Sequence, residues 1–259
     1  MFQKIFLLAT CCAAMVCCQN TNPNTQTNEK PASETTLPVA EKENCTAPRG
    51  NVTIDGVGSD SVWAQAAWLP INQRWLGAAY TPQDFEGRYK LAWSPEYLYI
   101  LAEITDDTLT DTHPNGLEKY WDDDCLEIFV DENNSGGDHQ YNYNAFAYHV
   151  ALNGKSVDIG TDSLKHYFDA HTINKRTQKG KTTTWEVAVA LYDDGFNDKK
   201  TTNKPVKIVP NKQIGFALAY CDNDRSPERE NFIGNVTVTG EDKNRGWIDA
   251  GIFGALTFK

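Results

Sequence analysis

The run Glu118–Gly136, EKYWDDDCLEIFVDENNSG, places a tryptophan, three consecutive aspartates, a cysteine and a glutamate side by side. Carboxylates so crowded supply oxygen ligands for a hard cation or an acid–base pair. The indole supplies a flat apolar face. An extended segment alternates its side chains, so Asp122 and Asp124 share a face that Asp123 does not. Calcium draws oxygen ligands from several carboxylates, amides and carbonyls. Asp106, Asp107, Asp131 and Glu132 lie at expected strand ends where such ligands collect, which makes them candidate ligands of a structural calcium. Their spacing does not match an EF-hand loop.

Two tryptophans lie outside apolar runs. Trp121 precedes the acidic cluster, and Trp247 closes the segment Asn244-Arg-Gly-Trp. An indole stacks on the apolar C–H face of a sugar ring, and two indoles grip one ring from both sides. Trp75, in Gln73-Arg-Trp-Leu-Gly77, is a further candidate for the same site. The polar loop Asp222–Asn231 carries Arg229, whose guanidinium fork can hold a pair of hydroxyls or a carboxylate. Trp63, Trp93 and Trp185 sit in apolar contexts and read as core, and His149 reads as a satisfied structural histidine.

Signs of catalysis are weak. Glycoside hydrolysis needs two carboxylates set across a cleft, and no motif singles out such a pair. The GxSxG, HExxH, P-loop and dinucleotide-binding fingerprints are absent. Cys125 lies inside an apolar strand with no histidine close in sequence and reads as buried. No CxxC or Cys/His zinc spacing exists among Cys45, Cys125 and Cys221, so a cysteine-based zinc site is not expected.

The elements that must position these residues are short β-strands. Arg88–Trp93, Tyr97–Ile104, Cys125–Val130, Asn144–Val150, Thr183–Ala190, Ile214–Tyr220 and Ile252–Phe258 are rich in β-formers and bounded by polar turns. Ser59–Ala67 is the one helix-like stretch. The fold class is all-β: a single-domain antiparallel β-sandwich, jelly-roll or immunoglobulin-like, with few short helices.

The net charge of −11 over 259 residues argues against a nucleic-acid partner, which would need clustered Lys and Arg. The N-terminal MFQK and the apolar IFLLATCCAAMV read as an export signal, too short to span a membrane. Residues 1–18 are expected to be a lipoprotein signal, with Cys18 (or Cys17) lipidated. Residues 19–45 are expected to be a disordered polar tether, and 46–259 the folded domain. That places the protein in the cell envelope, held at the outer membrane or cell surface only through a lipid anchor.

The order Ile54-Asp-Gly, Trp63, Leu91–Asp107, Trp121–Asn134, Trp185-Glu-Val-Ala-Val, Ile214-Gly-Phe and Trp247…Phe253-Gly-Ala-Leu resembles carbohydrate-binding module family 9 and its DOMON-like relatives over about Thr46–Lys259. The resemblance implies a noncatalytic sandwich that binds sugar between two tryptophans and carries structural calcium. The matching positions are Trp121 and Trp247, with Glu127 and Asn244 as polar sugar contacts; Arg229 matches a polar position in related modules. A family arginine falls opposite Ala147–Tyr148 and a family glutamine opposite Ala219, so the polar rim differs. Two alternatives are a haem-binding DOMON-like protein and an accessory module of a glycan-degrading enzyme system. A Met/His haem is excluded, because the only methionines, Met1 and Met15, lie in the expected signal, while bis-His ligation stays open.

Overall fold

A computed structural model describes residues 43–113 and 115–259. The expected export signal, Cys18 and nearly all of the expected tether lie outside the described residues. Two sheets face each other. One contains β1 (Asn44–Ala47), β3 (Gln73–Leu76), β6 (Cys125–Asp131), β7 (Phe146–Ala151), β8 (Ser156–Ile159), β9 (Lys165–Tyr167), β12 (Gln213–Asp222), β13 (Asn231–Gly234) and β14 (Gly254–Phe258). Its main path runs β1-β14-β12-β6-β7-β8-β9, with β13 and β3 branching from β12. The other sheet runs β10 (Thr172–Lys179), β11 (Thr182–Val189), β5 (Leu98–Asp106), β4 (Phe85–Trp93) and β2 (Leu69–Ile71). The strand pairings are antiparallel except β1 with β14. β1 begins inside the stretch expected to be tether, so the folded part starts slightly earlier than residue 46. The helix-like stretch forms one 3₁₀ turn, Ser61–Ala64.

Alternation explains which strands form and where they sit. On β4, Glu86, Arg88 and Lys90 point outward between buried Phe85, Tyr89 and Leu91, and Arg88 pairs across the sheet with Glu103. β10 has no apolar alternation: its sequence is TINKRTQK. It forms because β11 offers it a full register, and its charged and amide side chains suit an edge strand.

The core lies between the sheets. Leu126, Ile128 and Val130 of β6 meet Leu91, Trp93, Ile100 and Trp185 there. Trp93 and Trp185 are fully buried, as expected of core tryptophans. A second cluster lies on the opposite face of the larger sheet and includes Cys125, Phe129, Ala147, Ala217, Ala219 and Cys221. A third packs residues from the 52–68 segment, Trp63 among them, against the outer face of the smaller sheet. Buried Glu186 pins that segment by accepting hydrogen bonds from Asp55 N, Gly56 N and Trp63 Nε1. The Asp-Gly…Trp…Trp-Glu part of the sequence pattern is therefore one hydrogen-bonded clasp.

At one end of the core, His171 is buried among aromatic rings. It stacks on Tyr192 at 4.1 Å and shares a 2.7 Å hydrogen bond with the Tyr148 hydroxyl. Burial lowers its pKa from 6.5 to about 4. The unfolded chain then binds the proton more readily than the folded one. The stability held above pH 6.5 is lost as pH falls toward about 4, by at most about 3 kcal/mol. Urea denaturation across that window should show wild type losing stability relative to His171→Phe as pH drops. Parallel pH profiles for the two proteins would contradict this assignment.

Candidate functional site

Glu127 of β6, His149 of β7 and Ile159 of β8, on three adjacent strands, line a cavity of about 370 Å³. β6 is buried along its whole length because both of its faces are covered. Leu126, Ile128 and Val130 enter the main core, while Cys125, Glu127 and Phe129 face the other way. On that second face Glu127 is in register with His149 of β7, and Cys125 with Cys221 of β12. Ala147, Ala217 and Ala219 keep the sheet low around them, which leaves room for the covering loops. Both strand positions where family contacts do not carry over fall within this alanine-lined face.

The three aspartates divide their work. Asp122 Oδ1 accepts from Arg229 N, at 3.2 Å. Asp123 accepts from Thr112 and His113, at 2.9–3.0 Å. Asp124 accepts from Thr110 N and Asn223 N. Asn223, itself buried, donates to the Asp122 carbonyl and to Ser226 O. The acidic run thereby ties the 108–113 and 222–231 loops to the start of β6.

A different network holds the Trp247 segment. Arg245 bonds the carbonyls of Thr239 and Asp242 and pairs with Asp249. His139 Nε2 lies 2.8 Å from Gly246 O. Gly246 rests on Phe129: a Cβ there would approach the ring to 3.0 Å. The glycine lets the backbone lie close to the sheet next to Trp247.

Half-buried Trp121 and Trp247 both line the cavity, with Tyr141. Tyr120 packs edge-on against Trp121 at 5.0 Å, and the Lys165 ammonium lies 6.0 Å from the Trp121 ring. Glu127, Arg229 and Asn244 also line it, so five of the six expected ligand contacts converge on one cavity. The sixth, Trp75, does not. It is buried against Phe129 and Phe232, its Nε1 donates to Val236 O at 2.9 Å, and a Cβ on Gly234 would strike its ring. Trp75 is core, shaped into place by that glycine.

The charges beneath the tryptophans form a connected chain. Glu127 Oε2 is 3.0 Å from His149 Nε2 and 3.9 Å from Cys221 Sγ. Arg229 Nη1 donates to Cys221 Sγ at 3.1 Å, and Nη2 to Asn244 Oδ1 at 2.8 Å. The guanidinium also lies over Phe232 at 4.2 Å. Burial opposes charging His149, but Glu127 outweighs it and raises the imidazole's pKa. His149, read from sequence as a satisfied structural residue, keeps a buried Nδ1 with no hydrogen-bond partner. It and Lys165 belong to the site. Its cross-strand register with Glu127 was the signal, and a register is visible only once the strands are paired.

The expected cation ligands divide. Asp106 joins Asp124 and Asp222 in a buried carboxylate triad, and neighbouring Asp107 joins Asp84 and Asp224 in a more exposed one. Asp131 and Glu132 join neither. They sit at the other end of β6, where Asp131 Oδ2 closes a turn by accepting from Gly136 N and Glu132 is neutralised by Lys212 at 2.5 Å. In the buried triad, burial and then the neighbouring acids push Asp124 up to about 9 and Asp222 up to about 8. Burial pushes Asp106 up to about 6.

Residues 54–259 match the model of the "Carbohydrate family 9 binding domain-like" family. The chain is 26% identical over 212 residues to Endo-1,4-beta-xylanase A of Thermotoga maritima, with 82% of this chain and 17% of the xylanase aligned. It is 32% identical over 207 residues to Exoglucanase XynX of Acetivibrio thermocellus, covering 76% and 17%. The chain thus spans only a small part of the length of these relatives. A family 9 carbohydrate binding module from Caldicellulosiruptor kristjanssonii, solved in complex with cellotriose, shares the fold at a TM-score of 0.61 and 20% identity, covering 84% of this chain and 94% of that one. The glucose complex of a family 9 module from that organism aligns equally well, at 0.61, 20%, 84% and 96%. With the family pattern extending across both sheets and through both tryptophan-bearing loops, the chain belongs to the carbohydrate family 9 binding domain-like family.

Proposed function

We propose that the chain binds carbohydrate without catalysing its cleavage, holding one sugar ring between Trp121 and Trp247. The observation that carries this reading is the convergence of both half-buried indoles with Glu127, Arg229 and Asn244 on one cavity. Its volume lies in the range of small-molecule sites. Stacking supplies apolar contact, while the carboxylate, guanidinium and amide meet ring hydroxyls. Glucose and cellotriose, the ligands of the two solved neighbours, are the first sugars to test. Among the described residues Glu127 is the only carboxylate lining the cavity, and it is paired with His149. Hydrolysis would need a second carboxylate across the bond.

The same reading includes calcium at Asp106, Asp124 and Asp222. These carboxylates are buried and close together, and none has a basic partner among the described ion pairs. Asp222 Oδ2 is buried without a hydrogen-bond partner. An all-oxygen donor set suits a hard cation. Calcium there would lock the Asp222–Asn231 loop, and through it Arg229, to β6. The leader and its cysteines favour export and lipid anchoring, so the site would face material outside the cell. Alignment with segments of larger xylanases favours work alongside glycan-degrading enzymes.

Calorimetric titration with glucose and cellotriose should give saturable binding, and Trp247→Ala or Trp121→Ala should abolish it while leaving the fold intact. Trp75→Ala should instead destabilise the domain by about 3–5 kcal/mol, the usual cost of emptying a buried aromatic site. Wild-type affinity retained in Trp247→Ala would refute the clamp. Calcium at a hundred times its Kd should stabilise the chelator-treated protein by about 2.7 kcal/mol, roughly 5–10 °C in melting temperature. Asp222→Asn should remove that response. An equal calcium shift in the variant would move the ion elsewhere.

A further inference from the structure

Cys125, Cys221 and His149 are buried, lie on three adjacent strands and project from one face of the sheet. One ligand atom from each, the two sulfurs and an imidazole nitrogen, lie within 4.8 Å of one another. Ligand atoms in a tetrahedral zinc site stand about 3.5–3.8 Å apart, so small side-chain adjustments close the gap. Linear spacing hid this group, because residues far apart in sequence meet only through strand register.

We propose that Cys125, Cys221 and His149 bind a thiophilic divalent cation of the zinc class beneath the cavity, where His149 is the one of the three that reaches the lining. Two thiolates and an imidazole are a donor set that zinc prefers over calcium or magnesium. The fourth position faces Glu127, whose Oε2 is 3.9 Å from Cys221 Sγ and 3.0 Å from His149 Nε2. Charge also closes. A divalent cation and the Arg229 guanidinium carry three positive charges; two thiolates and Glu127 carry three negative. Arg229 Nη1, 3.1 Å from Cys221 Sγ, then serves as hydrogen-bond donor to a metal-bound thiolate, an outer contact of the kind that tunes metal sites. Binding releases the thiol protons, and the extra imidazole proton wherever His149 is charged, to solvent and changes no oxidation state. Because Glu127 and Arg229 line the cavity as well, the cation would set the position of both polar groups beneath the tryptophans.

Cobalt titration of the reduced full chain tests this without reference to sugar. The expected result is one Co²⁺ per chain with a sulfur-to-cobalt charge-transfer band and the intense visible bands of tetrahedral cobalt, both displaced by Zn²⁺. Cys125→Ser and Cys221→Ser should lose the charge-transfer intensity, while Asp107→Asn, in the separate, more exposed carboxylate group, should keep it. Should the serine variants fail to fold, zinc-edge X-ray absorption of the wild-type protein gives the same answer through a shell containing two sulfurs. A reduced protein with no charge-transfer band, or a band that survives both serine substitutions in folded protein, overturns the proposal. So does recovery of a Cys125–Cys221 disulfide-linked peptide from protein isolated without reductant.

Discussion

The register of β6 with its two neighbours is the constraint on which the site depends. A strand buried on both faces cannot slip by one residue without exchanging Leu126, Ile128 and Val130 for Cys125, Glu127 and Phe129 in the core. The core therefore fixes the register, and the register brings Glu127 to His149 and Cys125 to Cys221. Polar groups under the cavity are placed by hydrophobic packing on the other side of the same strand.

Placing charge on that buried face carries a desolvation cost that must be offset locally. The chain His149–Glu127–Cys221–Arg229–Asn244 does so with successive contacts of 3.0, 3.9, 3.1 and 2.8 Å. Each member lines the cavity or bonds one that does. Removing one leaves a neighbour unpaired, so the network behaves as a unit. The aspartates at the head of β6 serve it indirectly. They hold the loops that carry Arg229, and Asp124 extends that role into the carboxylate triad.

Much of the fold was legible because β5, β6, β11 and β12 announce themselves through β-branched and aromatic residues between polar turns. β10 was hidden, since an edge strand draws its order from its partner and not from its own apolar pattern. Trp121 and Trp247 stood out because polar neighbours set them apart from core tryptophans. That criterion failed for Trp75, whose segment is equally polar. Gly234, distant in sequence, opens the space that buries it. Asp106 and Asp107 were found at a strand end, yet adjacent residues point apart and joined different groups. Asp131 and Glu132 share the composition of cation ligands but have a turn amide and Lys212 as partners. The Cys125–Cys221–His149 group had no linear signature at all.

The proposed function makes a geometric claim, that a sugar ring is held between Trp121 and Trp247 over Glu127 and Arg229. A crystal structure of the chain saturated with cellotriose tests it most directly. The account predicts one ring stacked between the two indoles, with hydroxyls within hydrogen-bond distance of Glu127, Arg229 or Asn244. Cellotriose bound on another surface, with the space between the tryptophans free of sugar, would contradict it.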